Sequence, residues 1–114
     1  MNSLEFIEFY IKEYKRSVEW YKKYQEKNPT SFVNTLKEEE LILHHLQQIK
    51  SILEAWEVVK NKGVDMLIFM LYYDNLEEYN NYIKSLEGEY NYEKCLLTQN
   101  EADTIKKALE GENE

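Results

Sequence analysis

Histidine, cysteine and carboxylate side chains are the groups in this sequence that can ligate a metal or catalyse a reaction. His44 and His45 are the only histidines, and Glu40 precedes His44 by four residues, a spacing that places two ligands on one helix face. A di-iron carboxylate bundle needs Glu-x-x-His pairs on separate helices, and the sequence contains none. A zinc site needs further nitrogen or sulfur ligands, of which only Cys95 remains. We therefore expect no metal and no cofactor, with His45 hydrogen-bonded in a core or interface and His44 in solvent.

Cys95 is also the one candidate for a thiol nucleophile. Its neighbours in the sequence include no base that would activate the thiol, so we expect an inert thiol that is buried or half-buried. The sequence has no glycine-rich phosphate loop, no Walker lysine and no serine in a nucleophile elbow. An enzyme is the function class that these observations favour least.

Tyrosines and carboxylates concentrate in one stretch of the second half. Six of the ten tyrosines lie between residues 72 and 92, among many acidic residues. Tyrosine offers a large contact area with a hydrogen-bonding tip, and nearby carboxylates attract a partner rich in Lys and Arg. The alternative is that about half of these tyrosines are core residues and that the acids are ordinary surface. The predicted partner-binding residues are Tyr72, Tyr73, Asp74, Glu77, Glu78, Tyr82, Glu87, Glu89, Tyr90, Tyr92 and Glu93.

The net charge of -8 is unevenly distributed along the chain. Residues 1–28 carry six Lys/Arg and five Asp/Glu, residues 29–62 carry four and five, and residues 63–114 carry four and twelve. An acidic half repels nucleic acid and anionic membranes, so we expect neither as a direct partner. The lysines of the first 28 residues are interleaved with aromatic residues, but glutamates compensate for most of their charge. The expected partner is therefore a basic protein surface.

The composition predicts an all-α fold. Three glycines and one proline are too few for the repeated turns of a β-sandwich or barrel. We expect a single helical domain over residues 1–110 and a disordered tail at 111–114. The longest apolar run, 64–73, is too short to span a bilayer, and the first ten residues contain glutamates where a secretory signal needs basic residues. These observations favour a cytoplasmic protein.

A long antiparallel helical hairpin, about 3–27 and 31–62, is the element that positions the rest. In its first helix, a seam of alternating three- and four-residue steps consists of Leu4, Ile7, Ile11, Tyr14, Val18 and Tyr21. Phe6, Phe9, Trp20 and Tyr24 occupy a neighbouring sector, which makes the apolar arc wider than one partner helix can cover. Either the C-terminal half of the chain or a second copy of the protein is expected to pack there, and the sequence leaves both open.

The second helix of the hairpin has one broad apolar face. Its members are Leu41, Ile42, His45, Leu46, Ile49, Ile52, Leu53, Trp56 and Val59. The residues expected to point away from that face are Glu40, Gln47, Ser51 and Glu54. The helix is predicted to end at Gly63, after lysines in its last turn, whereas its start is left open over several residues.

The remaining residues predict two or three shorter helices. Residues 64–73 are apolar nearly all round and are expected to be buried against several neighbours, with Asp65 capping their start. Asp74 predicts a break and a new cap before a helix over 75–86. Residues 89–97 fit a loop, a short helix or an extended stretch. Thr98 and Glu101 form a capping box for a final helix.

In size, composition and lack of catalytic signatures, the chain resembles small accessory proteins encoded by phages and mobile elements. These include inhibitors of host nucleases and of CRISPR effectors. The resemblance implies a protein that inhibits or adapts a basic, nucleic-acid-binding surface of a host protein. One alternative is a structural or assembly protein that self-associates as a helical dimer through Phe6, Phe9, Trp20 and Tyr24. A more distant alternative is a DNA-binding regulator with a helix-turn-helix within residues 64–109.

Overall fold

The computed structural model describes residues 2–86 and 93–111 of the chain. Within these residues the protein is 83% helical and has no strand, which confirms the prediction of an all-α fold. The helices are α1 (Ser3–Lys27), α2 (Val33–Lys62), α3 (Met66–Leu71), α4 (Leu76–Ser85) and α5 (Gln99–Glu110), with one turn of 3₁₀ helix at Glu93–Cys95 before α5.

The chain divides into two compact units, one built on residues 1–50 and one on residues 51–112. The long helix α2 contributes its first part to the first unit and its last part to the second. The single domain over 1–110 stays a prediction. Of the predicted disordered tail, only Gly111 lies among the described residues.

In the first unit, α1 packs antiparallel to the first part of α2. Asn2 caps α1 by accepting a hydrogen bond from the Glu5 N–H at 2.8 Å. The hydroxyl of Ser17, past the middle of α1, donates to Glu39 at 2.5 Å, and Glu8, near its start, lies 4.0 Å from Lys50. The predicted seam of α1 is confirmed, since Ile11 and Val18 are buried and Leu4, Ile7, Tyr14 and Tyr21 are half-buried.

The predicted orientation of α2 is wrong for most of its length. Six members of the face expected to be covered are exposed: Leu41, Ile42, His45, Ile49, Ile52 and Trp56. The fully buried positions of α2 are instead Leu36, Ser51 and Ala55. Ser51, expected in solvent, is only 6% exposed. Small side chains allow other elements to approach a helix closely, so in the second unit the covered side of α2 is the side of Ser51 and Ala55.

The second unit has a continuous hydrophobic core. Its buried members are Ala55, Val64, Phe69, Tyr79, Ile83, Cys95, Leu97, Ala102 and Ile105, which come from α2, α3, α4, α5 and the connecting segments. Asn80 fastens one of these segments to α4 with two hydrogen bonds to Leu97, donating to its carbonyl at 2.9 Å and accepting from its N–H at 3.0 Å. Cys95 is a buried free thiol whose Sγ lies 3.5 Å from the Gly63 carbonyl oxygen.

The ends of the helices follow the capping residues closely. Gly63 adopts a left-handed conformation, φ 63°, and terminates α2 as predicted. The Asp65 carboxylate accepts hydrogen bonds from Leu67 N–H and Ile68 N–H and starts α3. The predicted break after residue 73 is present, but the cap of α4 is Asn75, bonded to Glu78 N–H, and not Asp74. Because Asn and Asp cap equally well, sequence alone could not choose between these neighbouring positions.

Tyr79 is the largest buried polar side chain among the described residues of the second unit. It is 1% exposed, its ring packs edge-on to Phe69, and its hydroxyl donates to the Cys95 carbonyl at 2.9 Å. Burial, with smaller contributions from Cys95 and Asp65, raises the pKa of Tyr79 to about 12. The hydroxyl therefore stays protonated and remains a hydrogen-bond donor at physiological pH.

We predict that Tyr79→Phe destabilises the protein by about 1–2 kcal/mol, because it leaves the buried Cys95 carbonyl without this donor. Urea unfolding followed by far-UV circular dichroism measures the change. Tyr82→Phe removes the same hydroxyl from an exposed tyrosine of the same helix and should cost less than about 0.5 kcal/mol. Equal losses in the two variants would contradict this role of the buried hydroxyl.

The start of α5 contains the predicted capping box. Glu101 N–H donates to Thr98 Oγ1 at 3.2 Å, and Thr98 N–H donates to Glu101 Oε1 at 2.9 Å. Lys62, in the last turn of α2, places its Nζ 3.4 Å from Glu101 Oε2. The hydrogen bond from the Thr98 N–H, followed by the Thr98 hydroxyl and Lys62, holds the pKa of Glu101 below its ordinary value of 4.5.

We predict that Glu101→Gln removes part of the pH dependence of stability. Because the pKa is lowered on folding, the ionised Glu101 stabilises the fold fully above pH 4.5 and loses this effect as the pH falls below that value. Glutamine can still accept the Thr98 hydrogen bond but does not attract Lys62. The advantage of the wild type over Glu101→Gln should therefore shrink between urea titrations at neutral and at acidic pH. A constant difference would contradict the prediction.

Candidate protein-binding surfaces

The shortest α-helix, α3, carries the most exposed apolar side chains in the described part of the chain. Leu67 and Leu71 are each 79% exposed, and Met70 is 52% exposed. Their spacing of three and four residues places them on one side of the helix. We call Leu67, Met70 and Leu71 the α3 surface.

The expectation that residues 64–73 are buried all round is therefore wrong. Phe69, 2% exposed, is the fully buried residue of α3, and its ring packs edge-on to Tyr73 and Tyr79. With Asp65 fixing the first turn and Phe69 anchored in the core, the opposite side of the helix faces outward. One side of this six-residue helix packs on the core, and the other side is left uncovered. The sequence did contain a signal that this helix is short and near the surface, because a charged aspartate lies near each end of the apolar run, at Asp65 and Asp74.

Exposed carboxylates follow the α3 surface in the chain. Asp74 lies in the turn three residues after Leu71, and Glu77 and Glu78 lie in the first turn of α4. Carboxylates are favoured there because the helix dipole is positive at its N-terminus. Residues 51–112 together hold six Lys/Arg against thirteen Asp/Glu, so the second unit is strongly acidic.

The tyrosines of the predicted partner-binding stretch are used partly within the fold. Tyr72 and Tyr73 are half-buried and Tyr82 is at the limit of exposure, with the Tyr72 and Tyr82 rings 5.6 Å apart. The Tyr73 hydroxyl donates to Glu110, and Lys106 Nζ lies 5.1 Å from the Tyr73 ring. Tyr73 thus links the turn after α3 to α5. Tyr72 and Tyr82 form a ring pair that remains partly accessible to solvent.

The structure brings together only part of the predicted partner-binding set. Tyr72 to Glu78 and Tyr82 belong to one segment, formed by α3, the turn after it and α4. Glu93 is exposed but lies in the 3₁₀ turn. Glu87, Glu89, Tyr90 and Tyr92 fall outside the residues that the structure describes. Leu67, Met70 and Leu71 are the additions that the sequence analysis missed.

A second exposed apolar surface lies on the first unit. The residues predicted for self-association, Phe6, Phe9, Trp20 and Tyr24, are between 39% and 55% exposed. The first two lie near the start of α1 beside Tyr10, whose ring centroid is 4.8 Å from that of Phe6. Trp20 and Tyr24 stack near its end, with centroids 5.3 Å apart and ring planes 14° apart.

Phe32 extends the aromatic group at the end of α1. Its ring centroid lies 5.3 Å from that of Tyr21, 5.5 Å from that of Tyr24 and 6.4 Å from that of Trp20. Its backbone is left-handed, φ 57°, which costs a non-glycine residue about 1–3 kcal/mol. Phe32 nevertheless remains 46% exposed, so the turn holds an aromatic ring at the surface in a strained conformation.

The exposed apolar residues of α2 adjoin those of α1. On α1, Tyr10 and Tyr24 lie seven residues before and after Ser17, so they share its side of the helix. On α2, Ile42 and Ile49 lie three and ten residues after Glu39, so they lie close to its side of that helix. Because Ser17 and Glu39 are hydrogen-bonded, these two stripes meet along one side of the hairpin. We call this the hairpin surface; its residues are Phe6, Phe9, Tyr10, Trp20, Tyr24, Phe32, Ile42, His45 and Ile49.

The hairpin also has a shallow, open depression lined by charged side chains. Its lining consists of Glu8, Ile11, Lys12, Lys15 and Lys50. Glu8 lies within ion-pair distance of Lys50, so a carboxylate already compensates part of the positive charge. The depression presents no combination of nucleophile and base.

Neither a metal site nor a membrane span is found in the part of the chain that the structure describes. No three His, Cys, Asp or Glu residues within 2–86 and 93–111 are grouped so as to hold a metal ion. Among the same residues, no helix has the length and apolar character needed to cross a bilayer. His45 lies at the surface, where its Nδ1 is 3.3 Å from Gln48 Oε1. Comparisons with protein-family models, with curated proteins and with solved structures give no match.

Proposed function

We propose that this protein is a small binding protein whose second unit docks onto a basic surface of another protein. The observation that carries the proposal is the α3 surface, with two leucines 79% exposed, followed in the chain by the exposed Asp74, Glu77 and Glu78. Apolar side chains this exposed mark interaction sites when they are clustered. The proposal assigns no catalytic step and no cofactor.

The apolar residues and the carboxylates contribute differently to binding. Leu67, Met70 and Leu71 release ordered water when a partner covers them and supply most of the affinity. Exposed carboxylates at the edge of such a site contribute less to affinity but speed association with a Lys/Arg-rich partner. The same carboxylates repel acidic partners.

A basic surface is the electrostatic feature by which proteins bind nucleic acid. The proposed function is therefore to inhibit or adapt the nucleic-acid-binding surface of a host protein such as a nuclease or a CRISPR effector. The composition shared with phage and mobile-element accessory proteins supports this choice. A DNA-binding regulator is less favoured, because α4, the second helix of the short pair α3–α4, begins with Glu77 and Glu78, which repel phosphates.

We predict that Leu67→Gln with Leu71→Gln lowers affinity for the partner roughly a hundredfold, since each removes an apolar anchor worth over 1 kcal/mol. Asp74→Asn with Glu77→Gln and Glu78→Gln should lower it roughly tenfold and flatten its salt dependence. The partner is captured on immobilised protein from the lysate of the source cell, identified by mass spectrometry, purified and titrated by calorimetry.

A matched control neutralises three exposed carboxylates of the first unit, Glu26→Gln, Glu38→Gln and Glu40→Gln. This variant has the same net charge as the Asp74 variant and should bind as the wild type does. A heparin or DNA competitor should displace the protein from its partner. Binding that ignores salt, competitor and both sets of substitutions would refute the proposal.

A further inference from the structure

Many large hydrophobic side chains of the first unit remain exposed. In residues 2–50 the fully buried hydrophobic side chains are Ile11, Val18 and Leu36. Ten large hydrophobic side chains of the same residues are exposed: Phe6, Phe9, Tyr10, Trp20, Tyr24, Phe32, Val33, Leu41, Ile42 and Ile49. Helices in water derive most of their stability from covering an apolar face. The exposed apolar side chains of the hairpin are therefore available to a further partner.

The exposed area has the size of a protein–protein interface. Six aromatic side chains of the hairpin surface, each about half exposed, leave roughly 600 Å² accessible if a full side chain presents about 200 Å². The isoleucines of α2 add to this. The sum is at the upper limit of the largest patch on a typical monomer, and it approaches the roughly 800 Å² that one partner contributes to a standard interface.

The charge of the hairpin allows two copies to approach each other. Residues 1–50 carry eight Lys/Arg and eight Asp/Glu, and pairs such as Glu13–Arg16, 3.6 Å apart, lie on the same helix. A basic partner gains no net attraction from such a surface, and an acidic partner gains none either. A second hairpin of the same sequence meets it without net repulsion, whereas the acidic second unit repels its own copy.

From these observations we infer that a second copy of this chain covers the hairpin surface. Two hairpins pair through Phe6, Tyr10, Trp20, Tyr24 and Phe32 and form a four-helix bundle, the arrangement that covers both stripes of each hairpin at once. The interface is isologous, so each copy offers the same surface. The strained Phe32 then has a role, because its ring fills this interface. The inference concerns the first unit and is independent of the function proposed for the second.

Sedimentation equilibrium of the full chain, from about 1 µM to 500 µM, measures the assembly directly. We expect a mass of twice 13.8 kDa at the upper end of this range and dissociation on dilution. A second measurement uses the Trp56→Phe variant, in which Trp20 is the sole tryptophan. Its emission should shift to the red, and its quenching by acrylamide should rise, as the dimer dissociates.

The surface is tested with Phe6→Gln combined with Trp20→Gln, which should raise the dimer Kd at least about a hundredfold. The matched control, Leu67→Gln with Leu71→Gln, removes two exposed apolar residues of the second unit and should leave the Kd unchanged. Circular dichroism checks that each variant stays helical. If Phe6→Gln with Trp20→Gln unfolds, the dilution series of the Trp56→Phe variant decides, because its hairpin surface is intact.

Three results would overturn the inference. The first is a wild-type chain that stays monomeric over the whole concentration range. The second is dimerisation that survives loss of Phe6 and Trp20 but fails in the Leu67 and Leu71 control. The third is Trp20 emission that does not change on dilution of a chain that sedimentation shows to be dissociating.

Discussion

The burial of Phe69 in the core determines which side chains of α3 are exposed to solvent. One ring of α3 is buried against Tyr73 and Tyr79, and Tyr79 is in turn held by its hydrogen bond to the Cys95 carbonyl. A short helix fixed through one side chain and one capping aspartate has no freedom to turn its leucines inward. The exposure of Leu67 and Leu71 is therefore a consequence of how the core is built and not a separate feature.

The same geometric limit operates in the hairpin, on a larger scale. A pair of helices can cover one stripe on each, and α1 uses this for the stripe containing Ile11 and Val18. The neighbouring sector with Phe6, Trp20 and Tyr24 is left accessible however well the pair packs. Amphipathic helices with an arc wider than one stripe need more neighbours than a hairpin provides. Both proposed surfaces thus arise because helices carry more apolar residues than their own unit covers.

The sequence predicted the helix caps well. It did not predict which side of a helix the rest of the fold covers. The caps at Asp65 and at Thr98 with Glu101 act over three or four residues, so the sequence contains all the information they need. The covered side of α2 depends on which elements approach it. The periodicity of the large apolar side chains predicted that their side of α2 is covered. In the second unit the covered side is instead that of Ser51 and Ala55, whose small size permits close approach. The α3 surface was missed because an apolar run does not reveal which side of its helix the core will cover.

The two proposals have a joint consequence when they are taken together. A neutral hairpin that paired with its copy would join two acidic units, each with its own α3 surface, in one molecule. A partner that presents two equivalent basic sites, as symmetric nucleic-acid-binding proteins do, would meet both units at an effective concentration far above that of the free chain. Overall affinity would then rise without any new contact. The uneven charge distribution would suit both proposals, because residues 1–50 carry no net charge and the surplus negative charge lies in the residues that follow them.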